Sequence, residues 1–138
     1  MRVLTATNTK FALRSAGNLD IPGFNAVGSD GVVVALQNMN KKVLSADKKY
    51  ATIGTGLNWK SIYSWIEPFG VQIVGGREPR VGAGGFLLGG MSLRRTSSGT
   101  ILILREIGGI ALFNDKYGLG LDQIVRYEVR PSNTSVFS

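Results

Sequence analysis

Glycine residues form the first pattern in this sequence that could do chemistry. In residues 80–92, RVGAGGFLLGGMS, five of thirteen positions are glycine: Gly82, Gly84, Gly85, Gly89 and Gly90. Glycine lets the backbone approach another group closely, and bare N–H groups in a turn can bind a phosphate without a cationic side chain. A core helix packed tightly on a sheet would explain some of the same glycines. The pattern leaves both interpretations open.

The amino-acid types that are missing exclude several kinds of site. The sequence contains no Cys and no His. Disulfides, thiolate nucleophiles and zinc fingers need Cys, whereas Ser-His-Asp triads and imidazole metal ligands need His. We therefore predict no metal centre and no nucleophilic triad.

Size and charge limit the class of protein. The 138 residues, 43% hydrophobic and 18% charged, predict one small globular domain with a net charge of +7. We interpret the lysine pairs at 41–42 and 48–49 and the arginine pair at 94–95 as solvated surface, since no aromatic interleaving or nucleic-acid motif accompanies them. Nucleic-acid binding stays an alternative, and salt-dependent retention on DNA would be its signature. A basic domain would also suit an anionic ligand that carries phosphates.

Hydropathy gives no sign of membrane insertion or secretion. No apolar run approaches the roughly 18 residues that a membrane span needs. The first seventeen residues lack the apolar region of a secretory signal. We predict neither a transmembrane segment nor a signal peptide in this chain, and the sequence indicates no compartment.

Turn residues and β-branched runs predict several short strands. We expect strands at residues 10–15, 31–38, 50–54 and 71–74, with a loop over 16–23 and the start of the chain as a helix tail or irregular. Asp47, Lys48 and Lys49 supply the turn between two hairpin arms.

One helix is predicted over residues 57–69. Trp59, Ile62, Ile66 and Phe69 are spaced three, four and three apart, as one helical face requires, and Asn58 is a candidate cap. Pro68 and the following glycine mark its end. Hairpin, helix and strand in this order indicate an α+β fold.

Three blocks of sequence carry a family resemblance. They are KFALRSAGNLDIPGFNAV (residues 10–27), VVVALQNMNKKVLSADKKYATIGTGLNWKSIYSWIEPFGVQIVGGREPRVGAGGFLLGGMS (32–92) and FNDKYGLGLDQIVRYEV (113–129). In this order they resemble the PCMH-type FAD-binding domain of the vanillyl-alcohol-oxidase and p-cresol-methylhydroxylase superfamily. They are most similar to its fungal berberine-bridge-enzyme-like members. Residues 1–138 are thereby identified as a single, partial FAD-binding domain.

The resemblance implies mixed sheets with flanking helices and an FAD extended along glycine-rich loops. FAD carries a doubly charged pyrophosphate, which the N–H groups of residues 14–18 and 81–85 would cradle. The implied phosphate loop is Arg14, Ser15, Ala16, Gly17 and Asn18. The flavin's implied path is lined by Gly75, Gly76, Val81, Gly82, Gly84, Gly85, Gly90 and Ser92. Toward the adenosine end the implied residues are Gly118, Asp122 and Val129.

The phosphate loop departs from the family pattern at two positions. Many members read Arg-Ser-Gly-Gly-His there, with the His bonded to the flavin, whereas this chain has Ala16 and Asn18. Any FAD must therefore be held noncovalently. Ala16 would cost about 1 kcal/mol if the loop requires positive φ, and nothing if the loop takes Ala at negative φ.

Two further stretches differ from the family. Residues 93–112 look inserted, either as a genuine extra hairpin, since 100–104 has strand character, or, as we favour, as translated noncoding sequence. Residues 130–138 are a divergent tail. Asn133, Thr134 and Ser135 form a glycosylation sequon by pattern.

The resemblance implies an FAD-linked oxidoreductase that removes a hydride from a small organic substrate and passes electrons to O₂. No residue here is identified as catalytic, because members draw their general base largely from a substrate domain outside these blocks. We interpret Tyr117 and Tyr127 as packing residues. The alternative is a noncatalytic truncated remnant, or the partner-dependent half of a flavin site. The sequence indicates neither the substrate nor the oligomeric state.

Overall fold

The computed structural model describes residues 2–19, 25–89, 91–95, 101–105 and 114–128. Its elements, in chain order, are α1 (Arg2–Ala6), β1 (Lys10–Arg14), β2 (Gly31–Ala35), β3 (Lys42–Leu44), β4 (Ala51–Ile53), α2 (Trp59–Ile66), α3 (Ala83–Gly89), β5 (Met91–Arg95), β6 (Ile101–Arg105) and α4 (Asn114–Tyr117). Two 3₁₀ turns, Glu67–Phe69 and Gly120–Gln123, follow α2 and α4. Within these ranges helices combine with three two-stranded sheets, which confirms the α+β class.

The first sheet pairs β1 with β2 in parallel. Phe11 lies opposite Val32 and Leu13 opposite Val34, so these apolar residues share one face. That face is open to solvent, since Phe11, Leu13 and Val32 are 37%, 51% and 42% exposed. Parallel sheets in proteins are normally covered on both faces. An uncovered apolar face is therefore the least usual feature of this fold.

The second sheet is the predicted hairpin of β3 and β4. Asp47 organises its turn, because its Oδ1 accepts hydrogen bonds from Ser45 Oγ at 2.6 Å and from Lys49 N at 3.2 Å. Both bonds hold the pKa of the Asp47 carboxyl below its usual range, the Ser45 bond more strongly. Lys48 takes φ 59° at the tip and donates from Nζ to Phe69 O at 3.0 Å. The hairpin prediction is confirmed.

Helix α2 carries the predicted apolar face and cap. Asn58 has an extended backbone, and its Oδ1 accepts from Ser61 N at 2.9 Å, which satisfies a free donor of the first turn. Trp59, Ile62 and Ile66 are buried, as their spacing requires. The first two N–H groups of the helix bond to the carbonyl oxygens of Val81 and Pro79, at 3.1 and 2.8 Å.

The prediction that Phe69 shares the buried face is wrong. Phe69 is 41% exposed, and its ring lies edge-on to Trp65 at 6.1 Å between centroids. The helix tightens into the 3₁₀ turn at Glu67–Phe69, where three residues rather than 3.6 complete a turn, so the apolar positions drift off the face. The chain then leaves the helix at Gly70, φ 69°, whose N–H bonds to Glu67 O at 3.0 Å.

The predicted strand at residues 71–74 is also wrong. The segment has no regular secondary structure, and within the described ranges no strand pairs with it. Ile73 instead packs against the core. A short apolar run fits a core-lining segment as well as a strand, so periodicity alone does not separate the two.

The core lies between α2 and the start of α3. Leu57, Trp59, Ile62 and Ala83 are 6%, 1%, 0% and 1% exposed. The Trp59 indole stacks on Tyr63 at 5.7 Å between ring centroids and meets Phe86 edge-on at 5.0 Å. Tyr63 Oη donates to Gly76 O at 2.8 Å, and burial raises the pKa of its phenol to about 12.

The third sheet pairs β5 with β6 antiparallel, Met91 opposite Arg105. Strand β6 matches the strand character predicted at residues 100–104. Whether 93–112 are inserted stays a prediction, and most of that stretch, like the 130–138 tail with its sequon, lies outside the described residues. Among the described helices, none combines the length and the apolarity needed to cross a bilayer.

The Asn58 cap can be tested by substitution. Asn58→Ala removes the acceptor for Ser61 N and is expected to lower the free energy of unfolding by about 1 kcal/mol. Asn58→Ser keeps a capping oxygen and is expected to stay within a few tenths of a kcal/mol of wild type. Urea unfolding of the three chains measures both effects, and equal losses in the two variants would contradict the cap.

The raised pKa of Tyr63 predicts that the free energy of unfolding falls at alkaline pH. A free phenol ionises near 10, whereas the folded chain holds the Tyr63 pKa at about 12. The contribution of this phenol to the free energy of unfolding is therefore fully present below about pH 10. It falls between pH 10 and 12, because the unfolded chain releases the proton at a lower pH than the folded chain does. Tyr63→Phe should flatten that fall, while Tyr50→Phe, at an exposed tyrosine, serves as the control. The same slope in Tyr63→Phe and wild type, in urea titrations from pH 8 to 11, would refute this assignment.

Candidate functional site

The predicted phosphate loop leaves the sheet where β1 ends at Arg14. Gly17 has φ 73°, a conformation that side chains disfavour, so glycine is favoured at this position. Ala16 does not have positive φ. The substitution of Ala for the family's glycine therefore carries no backbone penalty, and the second of the two expectations for Ala16 is confirmed.

The backbone donors of this loop are the groups that the sequence assigns to the pyrophosphate. Ala16, Gly17 and Asn18 are exposed. Among the described residues, none accepts a hydrogen bond from their N–H groups. Consecutive backbone N–H groups that have no partner among the described residues can bind an anion at such a turn.

Arg14 braces the loop from the side of β1. Its Nε donates to Asn25 O at 3.1 Å, and Asn25 Nδ2 donates to Leu19 O at 2.7 Å. A Cβ on Gly17 would lie 3.1 Å from Arg14 Cδ, so the arginine stem also packs under the turn. Arg14 thereby links the two ends of the segment that contains the loop.

Ser15 connects the loop to a second backbone segment, residues 54–56. Its Oγ donates to Thr55 O at 2.5 Å. Gly54 and Gly56 press that backbone against residues 36–41, where Gly54 N bonds to Lys41 O at 2.8 Å and Gly56 N to Met39 O at 3.0 Å. Sequence reasoning missed this crossing, although the Gly-Thr-Gly spacing was a signal for close approach on one face.

The second predicted loop, residues 81–85, contacts the first. A Cβ on Gly82 would overlap Ser15 Oγ and lie 2.7 Å from Ala16 N, and one on Gly84 would lie 3.0 Å from Thr55 O. These two glycines are therefore needed for protein packing. Gly85 is different, because a Cβ there would meet no atom of the described residues within 4 Å. Val81 packs against the core.

Gly75 and Gly76 have no room for side chains because the Trp59 ring packs directly against their backbone. A Cβ on Gly75 would lie 2.6 Å from Trp59 Cη2, and one on Gly76 would lie 2.6 Å from Trp59 Nε1. The indole Nε1 is buried and has no hydrogen-bond partner among the described residues. Sequence reasoning placed these glycines on the flavin's path but did not identify the tryptophan that requires them.

Gly118 and Asp122 also come together. Asp122 Oδ2 accepts from Leu119 N at 2.8 Å, and a Cβ on Gly118 would lie 2.5 Å from that same oxygen. Asp122 thus holds the 3₁₀ turn Gly120–Gln123. Gly90 and Val129 lie outside the described residues, and Ser92 lies on β5 with its backbone alone described.

Two cavities lie apart from these loops. One, of about 510 Å³, is lined by Gln37, Asn40, Lys42, Gly56, Leu57, Asn58 and Ser61. The other, of about 490 Å³, is lined by Lys48, Val71, Gln72, Ile73, Val74, Tyr117 and Gln123. Neither lining includes a predicted FAD residue. Within the described part of the chain, no group of three acidic or metal-ligating residues could hold a metal ion.

Substitution distinguishes the role of Gly82, which packs against the protein, from that of Gly85, which does not. Gly82→Ala forces a methyl group into Ser15 and Ala16, and overpacking of this kind costs about 1–3 kcal/mol. Gly85→Ala adds a methyl group in open space within α3 and should raise stability by about 0.5–1 kcal/mol. Urea unfolding of both variants checks the pair, and a shift in the same direction for both would refute the packing described here.

Comparison with known proteins agrees with the geometry. The chain matches the family described as FAD binding domain over residues 1–103. It is 38% identical over 136 residues to the FAD-dependent monooxygenase yanF of Aspergillus niger, an alignment that covers 99% of this chain and 20% of that protein. It is 35% identical over 136 residues to the FAD-dependent monooxygenase macF of Penicillium terrestre, covering 99% of this chain and 23% of that one.

A solved structure shares the fold. The crystal structure of 6-hydroxy-D-nicotine oxidase from Arthrobacter nicotinovorans superposes with a TM-score of 0.65 at 25% identity, over 88% of this chain and 22% of that chain. The chain therefore spans about a fifth of the length of the proteins that it matches. The family match over residues 1–103 shows that the chain belongs to the FAD binding domain family, with FAD as its cofactor.

Proposed function

We propose that the chain holds FAD noncovalently, with the pyrophosphate on the N–H groups of Ala16, Gly17 and Asn18. The observation that carries the proposal is this exposed turn of three N–H groups, which have no partner among the described residues and are held in place by Arg14 and Ser15. Two charged phosphates satisfy such donors better than water does, because hydrogen bonds to ionised acceptors are the stronger ones. The net charge of +7 favours the same anion.

Noncovalent retention follows from the residue types. The chain has no His and no Cys, and Asn18 stands where many relatives carry the flavin-linked His. An amide does not form that bond, so affinity depends on the loop's hydrogen bonds and on contacts along Gly85. The open space beside Gly85 gives a cofactor room at the start of α3. The other residues of the implied path remain part of the proposal: Gly75, Gly76, Val81, Gly82, Gly84, Gly90, Ser92, Gly118, Asp122 and Val129.

The proposed activity is that of the whole flavoprotein to which this domain would contribute. When bound, FAD supplies the redox chemistry, accepting a hydride from a small organic substrate and passing electrons to O₂. The relatives named FAD-dependent monooxygenase and oxidase support oxygen as the electron acceptor. This chain's own residues bind and orient the cofactor. No buried acid or base lies among its described side chains, so turnover by this chain alone is not expected.

Equilibrium binding tests the proposal directly. The purified chain is titrated with FAD and, separately, with riboflavin, which lacks the phosphates, and flavin fluorescence is followed. We expect FAD to bind in the micromolar range or tighter, and at least tenfold more tightly than riboflavin. The absence of binding at micromolar FAD, or equal affinity for the two flavins, would rule against a pyrophosphate site.

A second candidate is the partner-dependent half of a flavin site. The uncovered apolar face of Phe11, Leu13 and Val32 favours it, since a parallel pair with one bare face normally packs against further structure. In that case the chain alone would bind FAD weakly. Oxidation of a family-type substrate by the isolated chain would exclude this candidate.

Two glycines with positive φ give a matched pair of variants. Gly17→Ala and Gly70→Ala place alanine at φ 73° and 69°, so each should cost about 1 kcal/mol of stability. Gly70 lies at the end of α2 with open space around it and takes no part in the loop. We expect a tenfold or larger loss of FAD affinity for Gly17→Ala only, measured by the same titration. Equal loss of affinity in both variants would show that affinity merely follows stability.

A further inference from the structure

The hydroxyl group of Ser15 is already committed within the protein. A serine has one O–H donor, and that of Ser15 goes to Thr55 O at 2.5 Å. Gly82 and Gly84 close around it, since a Cβ on Gly82 would overlap Ser15 Oγ and one on Gly84 would lie 3.6 Å from it. A phosphate oxygen can only accept hydrogen bonds, so it gains nothing from this oxygen unless the Thr55 bond breaks.

The acceptor of this bond is itself fixed. Thr55 lies between two glycines whose backbone N–H groups bond to Lys41 O and Met39 O. Neither glycine has room for a side chain, because a Cβ on Gly54 would lie 2.6 Å from Met39 C and one on Gly56 would lie 2.7 Å from Leu36 C. Residues 54–56 therefore form a rigid backbone platform beneath the phosphate loop.

We infer that Ser15 is a positioning residue rather than a phosphate ligand. Through Thr55 O it holds the N–H groups of Ala16, Gly17 and Asn18 in a binding arrangement before FAD arrives. A loop that is already ordered in the free chain loses less conformational entropy when FAD binds, and the affinity is therefore higher. The inference rests on the proposed FAD site and adds to it the backbone platform at residues 54–56.

The experiment compares Ser15→Ala with wild type in the free and FAD-bound chain. Ser64→Ala, an exposed serine on α2, is the control. We expect Ser15→Ala to lower FAD affinity about tenfold and to lower the ¹⁵N order parameter of Gly17 in the absence of FAD, from near 0.85 toward the 0.6 of flexible backbone. The midpoint of thermal unfolding shows that each variant folds.

Each result of this experiment either supports or overturns the positioning role of Ser15. Lower affinity with an unchanged free-state order parameter would make Ser15 a direct ligand and overturn the inference. Unchanged affinity overturns it as well. An order parameter below 0.6 in the free wild-type chain overturns it without any variant, should Ser15→Ala fail to fold. If wild type binds no FAD, the proposed function fails, whereas wild-type binding with an unaffected variant leaves that function standing and removes only the role of Ser15.

Discussion

Backbone packed against backbone is the constraint on which the rest of this structure depends. Residues 54–56 are contacted on both sides, by the chain at 36–41 and by Ser15 together with Gly84. Three segments that are distant in sequence meet there, because Gly54, Gly56 and Gly84 allow close approach and the Ser15 hydroxyl bonds directly to Thr55 O. The ends of β1 and β4 and the start of α3 are thereby fixed relative to one another, and that junction positions the backbone amides at 16–18.

Trp59 plays the corresponding role in the core. Its flat ring fills the space over Gly75 and Gly76 and contacts Tyr63 and Phe86. A large aromatic ring buries much apolar surface in one step, which a small core needs. The ring also leaves a buried indole N–H without a partner among the described residues, a cost of the order of 1–3 kcal/mol that the packing has to exceed.

Local chemistry made part of this fold predictable. The Asp47 turn and the Asn58 cap depend on bonds between residues two or three apart, and both are confirmed. Phe69 and residues 71–74 were predicted wrongly because a change to 3₁₀ geometry and a missing strand partner do not appear in periodicity. The glycines at 82 and 84 were identified, and close packing was one of the two explanations that the sequence left open. Close approach depends on a partner far along the chain, and one sequence does not say whether that partner is protein or ligand.

The pairing of α2 with the segment before α3 has a consequence for how this domain tolerates change in length. Carbonyl oxygens of Pro79 and Val81 occupy the first two donors of α2, and Asn58 occupies the next. The positive end of that helix dipole is thus closed by the protein's own backbone and offers nothing to an anion. Adding or deleting one residue between Gly76 and Gly82 would shift both carbonyls out of reach. Evolutionary insertions, or an engineered tag, are better accommodated at the solvent-exposed Asp47 turn.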